Sequence, residues 1–145
     1  MIEDAFDPKR FALLADLGED DRDALVEVLE LQRVATGRKL FREGGEADGL
    51  VLVESGRIVL SSKRTGARSE VGPGDAVGVL SLFAIGPREA TASTIEPCVV
   101  WKLPRAHWRR LCEDAPRTAC RVLEAAVREC AALLRESLDA VDGDA

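Results

Sequence analysis

The residues able to do chemistry are few and scattered. One histidine, His107, and four cysteines, Cys98, Cys112, Cys120 and Cys130, serve 145 residues, and no two cysteines form a CxxC pair. A zinc site needs clustered ligands, and metal enzymes built on jelly rolls need several histidines or acids converging inside the barrel. Neither a metal nor a cofactor is therefore expected. A Ser-His-Asp arrangement would rest on the same His107, with no nucleophile-elbow motif nearby, so the chain reads as non-enzymatic. The cysteines read as buried residues of a reduced compartment. Arg105, His107, Arg109 and Arg110, the one local basic run, read as the solvated face of a helix.

Composition narrows the partners. The net charge is −6, with 46% hydrophobic and 32% charged residues, an ordinary balance for a domain with one core. A chain of pI near 4.9 is a poor neutraliser of nucleic-acid phosphates, so direct DNA binding is not expected. The N-terminus carries Glu3, Asp4 and Asp7 where a secretory signal needs a basic region and an apolar run. No segment approaches the roughly 18 unbroken apolar residues of a membrane span. The expected location is the cytoplasm, without membrane contact.

The elements that must position any site follow from punctuation. Asp7-Pro8 predicts a helix start, with Phe11, Leu14 and Leu17 at helical spacing. Glu19, Asp20 and Asp21 suit the positive end of a second helix through Leu25, Val28 and Leu29, ending near Leu31. From there to Leu103 short β-type runs broken by glycine predict a sandwich or jelly roll. Leu50–Val53, Glu54–Arg57 and Ile58–Leu60 read as one hairpin whose continuous apolar runs imply strands covered on both faces. A second hairpin tip is expected at Lys63–Arg68, one helical turn at Leu80–Ile85, and strands at Ala90–Ile95 and Val99–Leu103. Pro104–Cys112 and Pro116–Val141 read as helices with proline near their starts, followed by a frayed tail from Asp142.

The last helix carries Cys120, Leu123, Val127, Cys130, Leu134, Leu138 and Val141 in steps of three and four, a heptad-like seam. About 25 residues span nearly 38 Å, more than a small barrel covers. The seam predicts a homodimer.

In this order and spacing, Gly37, Leu40-Phe41-Arg42-Glu43-Gly44, Leu52–Arg57, Gly72, Gly74-Asp75 and Gly78–Thr91 resemble the cyclic-nucleotide-binding domain. That family supplies the sensory part of catabolite-activator-type factors, kinase regulatory subunits and some channels. The resemblance runs from Phe11 to Leu138. It implies a mainly β fold: an eight-stranded jelly-roll barrel over 32–103, with N-terminal helices in 1–31, a phosphate-binding cassette at 78–91 and C-terminal helices in 104–141, all in one domain of 1–145.

The ligand-binding positions implied are Gly78, Val79, Leu80, Ser81, Arg88, Glu89, Ala90 and Thr91. Amides at Leu80 and Ser81 and the Arg88 guanidinium would hold a cyclic phosphate, with Ala90 and Thr91 opposite. Two positions depart from the family pattern. Val79 stands where the family has a glutamate that accepts from the ribose hydroxyl, a loss of about 1.5–3 kcal/mol. Glu89 stands where the family has a small or hydroxyl residue; turned inward it would neutralise Arg88. Along the last helix Leu133 and Leu134 fall where activators present hydroxyl groups to the base.

The implied function is a stand-alone sensory or regulatory domain that binds cyclic AMP, cyclic GMP or another small anionic ligand weakly and signals through its C-terminal helix to a protein partner. A ligand-free dimeric interaction module that keeps only the fold is the alternative. The chain ends at Ala145, where activators continue into a DNA-binding helix-turn-helix.

Overall fold

A computed structural model describes residues 6–83 and 86–143, without the side chains of 142 and 143. Eight strands, β1 (Glu30–Val34), β2 (Lys39–Phe41), β3 (Gly49–Ser55), β4 (Ile58–Ser61), β5 (Arg68–Val71), β6 (Ala76–Val77), β7 (Thr91–Thr94) and β8 (Cys98–Pro104), form the jelly roll. They make two four-stranded antiparallel sheets, ordered β1-β8-β3-β6 and β2-β7-β4-β5. The sheets do not close into a barrel: β1 and β2, consecutive in the chain, are edge strands of different sheets.

β3 explains why its sequence is an unbroken apolar run. Successive side chains of a strand point to opposite faces; here Val51 and Val53 enter the core between the sheets with Ile58, Ala92 and Val100. Leu50 and Leu52 face the other way, into a cluster with Trp101, Leu103 and the helices. Phe6 and Phe11 complete that second core, Phe6 meeting Trp101 edge-on at 5.1 Å.

The expected hairpin over Leu50–Leu60 is not formed. β3 pairs with β8 and β6, whereas β4 pairs with β5 and β7, so 56–57 is an arch from one sheet to the other. Gly56, at φ +90°, lets the arch press against β8: a Cβ there would lie 2.4 Å from the Pro97 carbonyl oxygen. The second tip stands as expected, with Ser61 opposite Arg68.

Asp7 caps a helical start by accepting from the Lys9 amide at 3.0 Å, but the expected first helix is two 3₁₀ turns, Pro8–Arg10 and Ala12–Leu14. Phe11 breaks it by taking extended backbone between them, and full burial of its ring offsets the lost helix. α1 (Glu19–Val26) stops five residues before the expected Leu31. The chain beyond is drawn out as β1, where Leu31 lies opposite Trp101.

α2 (Arg105–Asp114) and α3 (Pro116–Gly143) follow the sequence reading closely, except that helix continues through Asp142 and Gly143, where a frayed tail was expected; 144–145 lie outside the described residues. The basic run on α2 is not simply a solvated face. His107 Nδ1 lies 2.8 Å from the Val28 carbonyl, which can only accept, so Nδ1 carries the proton. Arg110 donates to the Glu27 carbonyl at 2.9 Å. Both cap the carbonyl end of α1, the pole that favours donors and cations.

α3 has 28 residues, about 42 Å, and only its first half rests on the body. Thr118, Ala119, Val122 and Ala126 are buried, and its root is held by Asp21 of α1. That carboxylate, 1% exposed, accepts from Thr118 Oγ1 at 2.6 Å, Arg121 Nη1 at 2.7 Å and the Gly18 amide at 3.0 Å. Burial would raise the Asp21 pKa, but the bonds from Thr118, Gly18 and Arg121 together hold it below the usual range. From Ala132 to Val141 every residue is exposed. The cysteines divide: Cys98 is buried, as expected, whereas Cys112 and Cys120 are exposed and Cys130 half-buried, contrary to the burial expected of all four.

Candidate functional site

Gly78 opens the cassette at φ +79°, and the 3₁₀ turn Val79–Leu82 follows. Glycine is required twice over here, because the left-handed backbone disfavours a side chain and a Cβ would sit 2.4 Å from Arg88 Nη1. The space beside Gly78 is thus given to the arginine. Ile85, at the end of the expected turn, lies outside the described residues.

Arg88 arrives from the irregular segment before β7 and is buried, its side chain 5% exposed. Its Nη1 donates to Ser81 Oγ at 3.0 Å. Its Nη2 donates to the Gly49 carbonyl at 3.0 Å and to Asp48 Oδ1 at 3.2 Å, and the guanidinium carbon stands 4.0 Å over the Phe41 ring, a cation–π geometry. Nε is buried with no partner among the described residues. Burial pulls the Arg88 pKa below arginine's ordinary value while Asp48 opposes it; the group remains a cation. Asp48, its one ion-pair partner among the described residues, is 79% exposed, so solvent weakens the pair.

The expected site residues divide around this arginine. Ser81 joins it by its hydroxyl, but the Ser81 amide, expected to be offered to an anion, is bonded to the Gly78 carbonyl at 2.9 Å. Val79 is half-buried against the helical core, and Leu80 is exposed. Glu89 is exposed and forms no ion pair with Arg88, whose carboxylate partner is Asp48. Thr91 Oγ1 accepts from the Glu43 amide at 2.9 Å, tying β7 to the 42–48 loop, and Ala90 is half-buried. A cavity of about 460 Å³ opens beside the guanidinium, lined by Phe41, Arg42, Asp48, Gly49, Lys102 and others. Of the eight expected positions only Arg88 lines it. Leu133 and Leu134 stand exposed on the projecting half of α3 and do not line it.

The sequence reading missed Asp48, forty residues before Arg88, since no spacing cue links them; its place in the loop entering β3 is the sole local signal. Asp48 also reaches the helices, its carbonyl accepting from the Arg105 amide at 2.7 Å. On the cassette's other side Phe83 meets Trp108 of α2 edge-on at 5.2 Å. The arginine site and α2 are therefore in contact through two routes.

Two four-stranded antiparallel sheets, an arginine seated against a glycine-opened turn and helices packed on that turn define a jelly roll of the cyclic-nucleotide-binding type. The model of the cyclic nucleotide-binding domain matches residues 31–115, and the chain belongs to that family. A cAMP-dependent protein kinase regulatory subunit of Yarrowia lipolytica is 31% identical over 102 residues, 70% of this chain and 27% of the relative. The N-terminal domain of a transcriptional regulator from Streptomyces coelicolor A3(2) superposes with a TM-score of 0.76 at 29% identity, covering 93% of this chain and 95% of that one. The Thermus thermophilus catabolite activator protein, at 24% identity and TM-score 0.77 over 90% of this chain and 62% of that one, shares the fold. The chain spans between a fifth and a third of the curated relatives' length.

Proposed function

We propose that this chain is a non-enzymatic, cytoplasmic sensory domain, one folded unit over 1–145, that binds a small anionic ligand at Arg88 and signals through α3 as a homodimer. The observation that carries the reading is the Arg88 guanidinium: a buried cation beside a cavity of about 460 Å³, with an unpartnered Nε and a largely solvated counter-ion. An anion entering there gains a charge-assisted bond in a poorly hydrated setting. The name of the Yarrowia lipolytica relative, a cAMP-dependent regulatory subunit, makes cyclic AMP the first ligand to try, with cyclic GMP beside it. Val79 in place of an acceptor makes the binding weak. The dimer is supported by Leu123, Val127, Leu134, Leu138 and Val141, all 42% exposed or more on one stripe of α3; Cys120 and Cys130 share the seam. An unidentified protein would receive the signal.

Ligand at about 100 times its dissociation constant adds roughly 2.7 kcal/mol, so thermal melting with and without each nucleotide is the test. A rise of several degrees with wild type, lost in Arg88→Ala, supports the reading. A second reading is favoured by one observation, that three protein groups already hold the guanidinium: the domain is then a ligand-free dimeric interaction module, and no ligand moves the melt.

A further inference from the structure

A second opening adjoins the Arg88 cavity and is more strongly charged. It measures about 450 Å³ and is lined by Arg33, Arg38, Lys39 and Lys102, with no acid among its lining residues. Among the described residues none of these four forms an ion pair. Four unpaired cations gather here in a chain of net charge −6. Leu40 and Lys102 line both openings, so the two make one cleft along the gap between edge strands β1 and β2.

The far end of this cleft is built. The turn carrying Arg38 is pinned to Thr94 of β7, which is 2% exposed. Thr94 Oγ1 donates to the Ala35 carbonyl at 2.7 Å and accepts from the Arg38 amide at 3.0 Å. The Thr94 amide donates to the Arg38 carbonyl, and the Gly37 amide to the Thr94 carbonyl, both at 2.9 Å. Arg38 is therefore presented from fixed backbone, which lowers the ordering cost of binding.

Strand register measures the cleft. Arg88 bonds Gly49, which lies opposite Pro104; Lys102 lies two residues along β8, and Arg33 lies opposite Val99, five residues along. At about 3.4 Å per residue these levels are about 7 and 17 Å from the Arg88 end. One cyclic phosphate cannot serve both ends. Glu30, Glu46 and Asp48 at the Arg88 end interrupt any continuous basic stripe, which favours a small molecule over a nucleic-acid strand.

We propose that the ligand carries two separated phosphates, as a dinucleotide does, one at Arg88 and the second against Lys102, Arg38 and Arg33. This rests on the reading of Arg88 as an anion site and specifies its ligand class. Calorimetric titration with cyclic di-GMP and cyclic di-AMP, against cyclic AMP and cyclic GMP, tests it on wild type, Arg88→Ala, Lys102→Met and the double variant Arg33→Glu with Arg38→Glu, each checked for folding by circular dichroism. A cyclic dinucleotide should bind wild type about tenfold or more tighter than either mononucleotide. The double variant should cost about tenfold for the dinucleotide while leaving any mononucleotide affinity within about twofold, and Lys102→Met, on the wall shared by both openings, should weaken the dinucleotide by about tenfold; Arg88→Ala should abolish both. If a mononucleotide binds through Arg88 and no dinucleotide binds tighter, or the cleft variants leave dinucleotide affinity unchanged, the two-phosphate assignment is overturned and the Arg88 reading survives. If none of the four compounds binds, both fall.

Discussion

Replacing Asp21 by alanine should loosen the root of α3, and the structure sets the size of the effect. The change leaves the Thr118 hydroxyl, 5% exposed, buried without its acceptor and removes one bond to the Gly18 amide, together worth about 2–3 kcal/mol. The Arg121 side chain is 48% exposed, so its share is screened and adds less than about 1 kcal/mol. A total near 3 kcal/mol lowers the melting temperature by about 10 °C in a chain of this length. Asp21→Asn keeps an acceptor and should cost only about 1 kcal/mol. The assay is thermal melting at fixed protein concentration, from pH 3 to 8. Because the folded Asp21 pKa lies below the unfolded one of about 3.9, its stabilisation is present above that value and fades as pH falls through the folded pKa. The gap between wild type and Asp21→Asn should therefore be flat at neutral pH and shrink in acid. An alanine variant melting within about 2 °C of wild type, or a gap that widens in acid, would refute the network as the anchor of α3.

Light scattering should give about twice 15.7 kDa, and Leu123→Asp or Leu134→Asp should return a monomer at tens of micromolar; a monomeric wild type removes the seam argument. If ligand draws the Val79 position from the helical core to the cavity, Val79→Glu should strengthen cyclic-nucleotide binding by about 1–3 kcal/mol by calorimetry; no gain would mean that the position stays packed in that core. Since Glu89 is exposed, adding Glu89→Ala should change that gain little, and a large further gain would place its charge at the phosphate. Gly78→Ala should cost upwards of about 1 kcal/mol by denaturant unfolding, because the left-handed backbone and Arg88 Nη1 both oppose a Cβ; an unchanged midpoint would show that the arginine can vacate its seat freely.

Features set by local pattern were legible in the sequence. The unbroken apolar run of β3 reported burial on two faces, prolines marked the starts of α2 and α3, and the heptad spacing of α3 located a stripe that does stand open. Where pairing is settled by distant chain, the sequence carried no sign. Glu54–Arg57 has the turn chemistry of a hairpin, and only the competition of β8 and β6 for β3 turns it into an arch. The first helix fails because core burial of Phe11 outweighs its spacing. At the site, the glycine before the cassette and Arg88 were identifiable by resemblance, but the partners of Arg88 lie up to forty residues away, and the four cations of the second opening belong to β1, the following turn, β2 and β8, which no linear motif joins.

The projecting half of α3 gives the domain mechanical gain. Its last fully seated residue is Ala126 and its seam continues to Val141, about 22 Å further at 1.5 Å per residue. A tilt of about 10° at the seat, small enough to come from repacking Trp108 against Phe83, would carry the far end of the seam sideways by about 4 Å. That is enough to take leucines out of register with the facing helix of the proposed homodimer, so a rearrangement too small to disturb the sheets would make or break contacts at the tip of such a dimer.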